Sequence, residues 1–182
     1  MGTGQKQFFL YQKAKKEQIV LKDLLQLLKS QTPGKSQSFS FIEMSSSLLP
    51  QLSLWENLQI EIGGKSWNDF LQGLNLEYQT LLSSLKDPAL KAKDAENWEK
   101  LLVAIFKGIL GQSSHLLVDI NEEELSPFII YQIKRIFLIM NPEKHIFVAT
   151  ASPHLWMDCT DVIVKKNGHE FIYELPSKVK IA

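Results

Sequence analysis

Two rhythms of apolar and polar positions alternate along this chain. QFFLYQ, residues 7–12, is a short apolar and aromatic run of strand length. After it, Val20, Leu21, Leu24, Leu25, Leu27 and Leu28 recur at helical spacing until Thr32-Pro33-Gly34 ends the helix. SFSFIEM (38–44) alternates and predicts a second strand, with Leu49-Pro50 closing the loop behind it. Residues 53–110 read as helical throughout, with breaks at Gly63-Gly64, Asn75 and Asp87-Pro88. The last piece, WEKLLVAIFKGIL (98–110), is apolar nearly all round, the pattern of a buried helix. HLLVDI then predicts a strand, 127–140 a helix, KHIFVAT (144–150) a strand and 153–159 a short helix. DVIVKKNGHEFIYEL closes as a hairpin with Asn167-Gly168 as its turn.

Strands that alternate with helices predict an α/β domain with a mainly parallel sheet covered on both faces. The 182 residues suit a single domain, and a chain of this size buries a full core without staples. A helical subdomain, about residues 53–97, is expected as an insertion in the α/β core.

Charge narrows the partners. Twenty Lys and Arg balance twenty Asp and Glu, so no global field favours nucleic acid or anionic lipid. The lone Cys159 has no disulfide partner and reads as a packing residue in a reducing compartment. The N-terminus lacks an apolar stretch followed by a small-residue cleavage site. No apolar run reaches the roughly 18 residues of a membrane span. The best candidate, 127–140, is interrupted by Gln132, Lys134 and Arg135. The expectation is a cytoplasmic protein that does not insert into a bilayer but can work against a membrane partner.

The first stretch with chemical content is HLLVDINEEELSP (115–127), in which a buried strand delivers Asp119 to the mouth of an ATP-type site. A hydrolytic enzyme would carry a second carboxylate at the next position, which is Ile120. A phosphate loop needs glycines that let backbone N–H groups curl round the phosphates at a helix start. GKS occurs at 34–36 and 64–66, but Lys29 and Gln59 occupy the required earlier glycine positions, so both read as turns. The correct place for such a loop is after the first strand, where the chain reads KKEQIVLK (15–22). There Lys15 and Val20 stand for the glycines, Leu21 for the phosphate-binding lysine and Lys22 for the magnesium-binding hydroxyl. Side chains at the glycine positions oppose both the positive φ and the close approach of phosphate. A solvated basic loop is the simpler reading of Lys13, Lys15 and Lys16.

Over about residues 7–175 the chain resembles the nucleotide-binding subunits of ABC transporters, a P-loop-NTPase-like fold. SFSFIEMSSSLLPQLSLWENLQI resembles the Q-loop strand and the segment beyond it, usually VFQ followed by LLP.LSV.ENV. WEKLLVAIFKGIL resembles the helix after the signature motif, and HLLVDINEEELSP the Walker B strand and D-loop. KHIFVATAS and CTDVIVKKNGHEF resemble the H-loop strand and closing hairpin. Against that family's pattern the Q-loop glutamine is Met44, the signature LSGGQ aligns with AENWE (95–99), and the Walker B base is Ile120. The D-loop aspartate is Ser126 and the H-loop histidine is Ala151; only Asp119 keeps its family identity.

Each survivor has a structural reading beside the functional one. Asp119 alone offers too few oxygens to hold a hard cation and reads as a strand-end hydrogen-bonding group. Glu122, Glu123 and Glu124 read as a solvated acidic turn at a helix N-terminus. His115 and His154 read as surface or capping histidines, with no neighbours at metal-ligand spacing. The tryptophans read as core, except that Trp55 follows the Leu48-Leu49-Pro50 loop, in the region that faces the permease in the family.

The resemblance therefore implies a pseudo-ATPase: an ABC-type fold kept as a protein-interaction module, with no catalytic residues, cofactor or metal. Phosphoryl transfer is mostly positioning and electrostatics, so losing the cradle removes the catalyst. The implied partner is a membrane permease or another subunit of an envelope complex, contacted through Met44, Leu48, Leu49, Leu54 and Trp55. ATP-driven homodimerisation should be weak, leaving a monomer or a dimer through another surface. The alternative is an ATP-binding or ATP-hydrolysing subunit that uses Lys15, Lys16, Asp119 and Glu122 unconventionally.

Overall fold

The computed structural model describes residues 8–12, 38–43, 47–139, 144–167 and 170–175. Its centre is a six-stranded sheet in the order β2-β3-β4-β1-β5-β6. The strands are β1 (Phe8–Gln12), β2 (Phe39–Glu43), β3 (His115–Asp119), β4 (His145–Thr150), β5 (Val162–Asn167) and β6 (Glu170–Glu174). The first five run parallel and only β6 is antiparallel, paired with β5 in the expected hairpin. The mainly parallel α/β architecture is thus as the strand–helix alternation predicts. The helical pattern at 18–28 lies outside the described residues.

Alternation along the central strands sends their side chains to opposite faces. Phe8, Leu10, Leu116, Val118, Ile146 and Val148 join the helices in one continuous core. Phe9, Tyr11, Leu117, Phe147, Ala149 and Val164 form a second buried cluster on the other face, with Phe9 and Phe147 stacked at 4.4 Å.

The helical insertion contains α1 (Leu54–Ile62), α2 (Trp67–Gln72) and α3 (Leu76–Leu82), followed after a break by α4 (Asn97–Leu110). Each of the first three starts at a side-chain cap: Ser53, Ser66 and Asn75 accept from the backbone N–H groups of Glu56, Asp69 and Tyr78. The second GKS tripeptide is a helix–helix joint, in which Gly63 ends α1 at φ 75° and Ser66 caps α2. Residues 83–96 depart from the helical expectation. Pro88 supplies no donor, and the segment instead runs back along residues 50–55. Leu54 N–H donates to Leu90 O, Trp55 N–H to Pro88 O, Ala92 N–H to Leu52 O and Lys93 N–H to Pro50 O. Cross-chain pairing satisfies the polar backbone that a helix would have satisfied locally. Residues 153–159 likewise form two single 3₁₀ turns rather than one helix. The turns enclose the fully buried Trp156 and the largely buried Cys159, whose thiol burial pushes up to about 12.

Helix α4 packs on α1 on one side and on β2 and β3 on the other. Gly108 makes that approach possible: a Cβ there would lie 2.4 Å from Leu116 Cδ1 and 3.1 Å from Ile42 Cδ1. The C-terminal end of α4 is closed by buried Lys144, whose Nζ donates to the carbonyls of Gly108 (3.0 Å), Gly111 (2.6 Å) and Ser113 (2.9 Å). A cation suits the negative end of the helix dipole.

His115 is not at the surface as expected. It pairs in register with His145 across β3 and β4, buried, with the two rings stacked at 5.1 Å. His115 Nδ1 shares a hydrogen bond with Ser114 Oγ at 2.8 Å, while buried His145 Nδ1 has no partner. Burial lowers both imidazoles below their ordinary value, and His145 lowers His115 further.

Two outcomes follow. Gly108→Val should destabilise the fold by about 1–3 kcal/mol through overpacking. Gly108→Ala should cost less, because helix propensity returns about 1 kcal/mol; chemical denaturation measures both. Because the folded histidines resist protonation, their contribution is intact above about pH 6.5 and is lost as the pH falls through the lowered folded values. The urea midpoint should therefore drop on acidification from pH 7 to 5, with a shallower drop in the His145→Gln variant.

Candidate functional site

In open α/β sheets ligands bind beyond the carboxyl ends of the strands, where neighbouring connections leave in opposite directions. Here that place lies between β1 and β4. The chain after β1 goes to the β2 edge, and the chain after β4 goes to β5 on the other side. The strand ends are level: Gln12 pairs with Thr150, Glu43 with Asp119 and Asp119 with Ala149.

Of the residues assigned to this mouth from sequence, Lys15, Val20, Leu21, Lys22 and Met44 lie outside the described residues. Asp119 sits half-buried at the end of β3. Ile120 is fully buried in the core, and its N–H donates to Ala149 O at 3.0 Å. Its apolar side chain therefore faces packing rather than solvent. Ala151 follows β4 half-exposed, next to Thr150. Ser126, at the D-loop position, accepts from Ile129 N–H at 3.3 Å and starts helix α5 (Pro127–Ile139).

Glu122 overturns the expectation of a uniformly solvated acidic turn. It is only 8% exposed, while Glu123 and Glu124 face solvent. Its Oε1 accepts from the Thr150 hydroxyl and from Trp156 Nε1, the latter at 2.9 Å. A buried carboxylate persists only when donors replace its hydration, and these two do so. The network fastens the loop after β3 to the loop after β4 at the sheet's carboxyl edge. Thr150 Oγ1 also accepts from Ser152 N–H at 2.8 Å, which fixes the chain on either side of Ala151.

The signature-aligned segment opens α4. Glu99 is 1% exposed; its Oε1 accepts from Lys86 N–H at 3.0 Å and its Oε2 from Glu96 N–H at 3.1 Å. Glu96 accepts from Trp98 Nε1 at 2.6 Å and pairs with Lys86, and these donors hold its carboxyl below the usual range, Lys86 foremost. Asn97 and Asn121 both donate to Glu124, at 2.8 and 2.7 Å, tying this helix start to the loop after β3. A helix N-terminus would ordinarily favour an anion. Here its own carboxylates already occupy the place.

The loop expected to meet a partner is held by Asn57, which is fully buried. Asn57 Oδ1 accepts from Leu49 N–H at 2.8 Å, and its Nδ2 donates to Leu49 O at 3.1 Å and Ser53 O at 2.9 Å. Leu49 stands 52% exposed, and Leu48 is half-buried. Leu54 is a correction: it is 0% exposed, packed into the core, and offers no surface. Trp55 is half-buried against Trp67 (5.2 Å) and Phe70 (5.3 Å). Beside the loop, Glu43, Ser47, Pro50, Lys93 and Lys100 help line a cleft of about 60 Å³. Small-molecule sites typically measure roughly 300–1,000 Å³, so this cleft is too small for a nucleotide.

Sequence reading missed Asn57, Glu99 and Glu122 as structural hubs. The signal available for the first was local: Ser53 with Glu56 three residues on forms a capping box, fixing where α1 begins. Nothing local distinguishes Glu122 from its two neighbours. Among the described residues no cluster of His, Cys, Asp and Glu is arranged to hold a metal ion. Removing the Glu122 carboxylate should strand two donors: Glu122→Ala is expected to cost about 2–4 kcal/mol and Glu122→Gln less, measured by urea unfolding.

No protein-family model matches the chain, and no curated protein matches its sequence. Solved structures do match. A chain from an inward-facing metal-chelate-type ABC transporter superposes with a TM-score of 0.60 at 12% identity, covering 94% of this chain and 73% of that one. With 623 matching chains, the shape is widely shared, and at such identity it speaks for the fold rather than the chemistry. The likeness shows the fold: a mainly parallel α/β sheet flanked by helices, shared with that transporter chain.

Proposed function

We propose that this chain is a catalytically inactive, ABC-type nucleotide-binding-like subunit that serves as a protein-interaction component of a membrane transport or envelope complex. The observation that carries the reading is the start of α4, where Glu96 and Glu99 stand in place of the phosphate-binding loop the resemblance implies. A partner's γ-phosphate brought there would meet carboxylates whose donors are already engaged. Ile120 buried in the core and Ala151 beyond β4 support the same reading, since neither supplies a base or a donor to a phosphate.

The partner surface in this reading is the loop that Asn57 holds, with Leu49 outermost and Leu48 and Trp55 behind it. The likeness to a transporter chain supports a membrane permease, or another envelope subunit, as the protein docked there. No helix among the described residues is long and apolar enough to cross a membrane, so contact with a bilayer would run through that partner.

Calorimetric titration with Mg-ATP is the first test, with no saturable heat expected up to millimolar nucleotide. Micromolar binding that disappears in Asp119→Asn would sink the pseudo-ATPase reading. Pull-down from solubilised membranes is the second. Wild type should retain a polytopic permease, and Leu49→Asp should lose it with an unchanged melting temperature. Recovery of soluble proteins alone would refute the docking role.

A further inference from the structure

Helix α5 has two unlike sides. Ile130, Ile133, Ile136 and Phe137 are buried in the core. At 3.6 residues per turn, Phe128, Tyr131, Arg135 and Leu138 fall within one narrow outward stripe. Phe128 is 62% exposed, Tyr131 57% and Leu138 62%, and Leu76, next to the α3 residue that pairs with this helix, is 76% exposed. Two large apolar residues and an aromatic ring in line on one surface helix are more than scattered exposure. The charge in the stripe is already organised: Arg135 lies 6.0 Å from the Tyr131 ring centroid and 3.1 Å from Glu77.

We propose that this stripe is the seam of a symmetric dimer, its occupant α5 of a second copy of this chain. The argument is self-complementarity. When two copies of a helix cross antiparallel about a two-fold axis, positions equidistant from the centre face each other. With the axis beside Ile133, Phe128 lies five residues before the centre and Leu138 five after, so the two meet across the interface. Tyr131 lies two before and Arg135 two after, so each guanidinium comes over the partner copy's Tyr131 ring. The pairing recurs by symmetry, apolar on apolar at the ends and cation on ring in the middle, with no like charges opposed. A parallel crossing would set Arg135 against Arg135. This surface is separate from the loop of residues 48–55, so the dimer goes beyond the docking role proposed above and does not depend on it.

One helix face per copy is a small interface, and the dimer should be weak, with a Kd on the order of 100 µM. Sedimentation velocity on the full chain, from about 10 µM to about 1 mM, reads it directly. Wild type should move from monomer to dimer over that range. Phe128→Glu and Leu138→Lys should each weaken association at least tenfold. Both leave the helix favourable charges, acidic in its first turn and basic in its last, and unchanged melting temperatures verify that the variants fold. The double variant Phe128→Glu/Leu138→Lys should recover association, because antiparallel register places each new carboxylate opposite the partner copy's new ammonium. A wild type monomeric throughout would overturn the proposal, as would a dimer indifferent to the single changes or a double variant no better than the singles. Flotation with phosphatidylglycerol vesicles by a protein that stays monomeric would assign the stripe to a bilayer, and would also overturn it.

Discussion

Helix α4 is closed at both ends by a buried charged side chain, and much of the fold is arranged around that fact. Buried between the sheet and the helical layer, it exposes unpaired N–H groups at one terminus and unpaired carbonyls at the other. Glu99 answers at the first end and Lys144 at the second. Both are charged side chains in nearly dry surroundings, where each is tolerable only because its hydrogen bonds are filled. The two come from opposite directions. Glu99 lies within the helix and also binds Lys86 N–H, tying the first part of the irregular segment 83–96 to the helix start, whereas Lys144 arrives from the entrance to β4. One helix thus sets both where the insertion returns to the core and where the next strand begins.

The close approach at Gly108 belongs to the same constraint. A helix that lies directly on β2 and β3 leaves no room for a side chain at the contact, and the chain supplies none. Glu122 plays the corresponding part at the other edge of the sheet, joining the loops behind β3 and β4 through Thr150 and Trp156. The carboxyl end of the sheet, where open α/β sheets generally bind ligands, is here cross-braced by hydrogen bonds between side chains of the same chain.

How far this could be read in advance depended on the range of the signal. Strands and long helices carry their period within a few residues, so β1 through β6, α4 and α5 were legible, including the all-round apolar pattern that marks α4 as buried. The segment 83–96 was not, because its backbone partners lie some forty positions away along residues 50–55 and leave no local period. The candidate site divides in the same way. The retained Asp119 and the replaced positions 120 and 151 were visible against the pattern the resemblance implies. The burial of Glu122 and the His115–His145 stack were not, since each depends on a strand or loop distant in sequence. Leu54 was misplaced for a related reason: an apolar residue in a segment expected to face a partner looks the same whether it points out or in, and only the register of α1 decides.

Asn57 separates what holds the loop from what the loop displays. Its amide binds Leu49 and Ser53 through their main-chain atoms, and Lys93 N–H holds Pro50 O in the same way. The side chains at 49 and 51 take no part in any of these bonds, so the shape of the loop is independent of their identity. Such a loop can change its surface chemistry by single substitutions while its backbone stays in place. Its ordering entropy is also lost once, at folding, and in the docking role proposed above would not have to be lost again on binding.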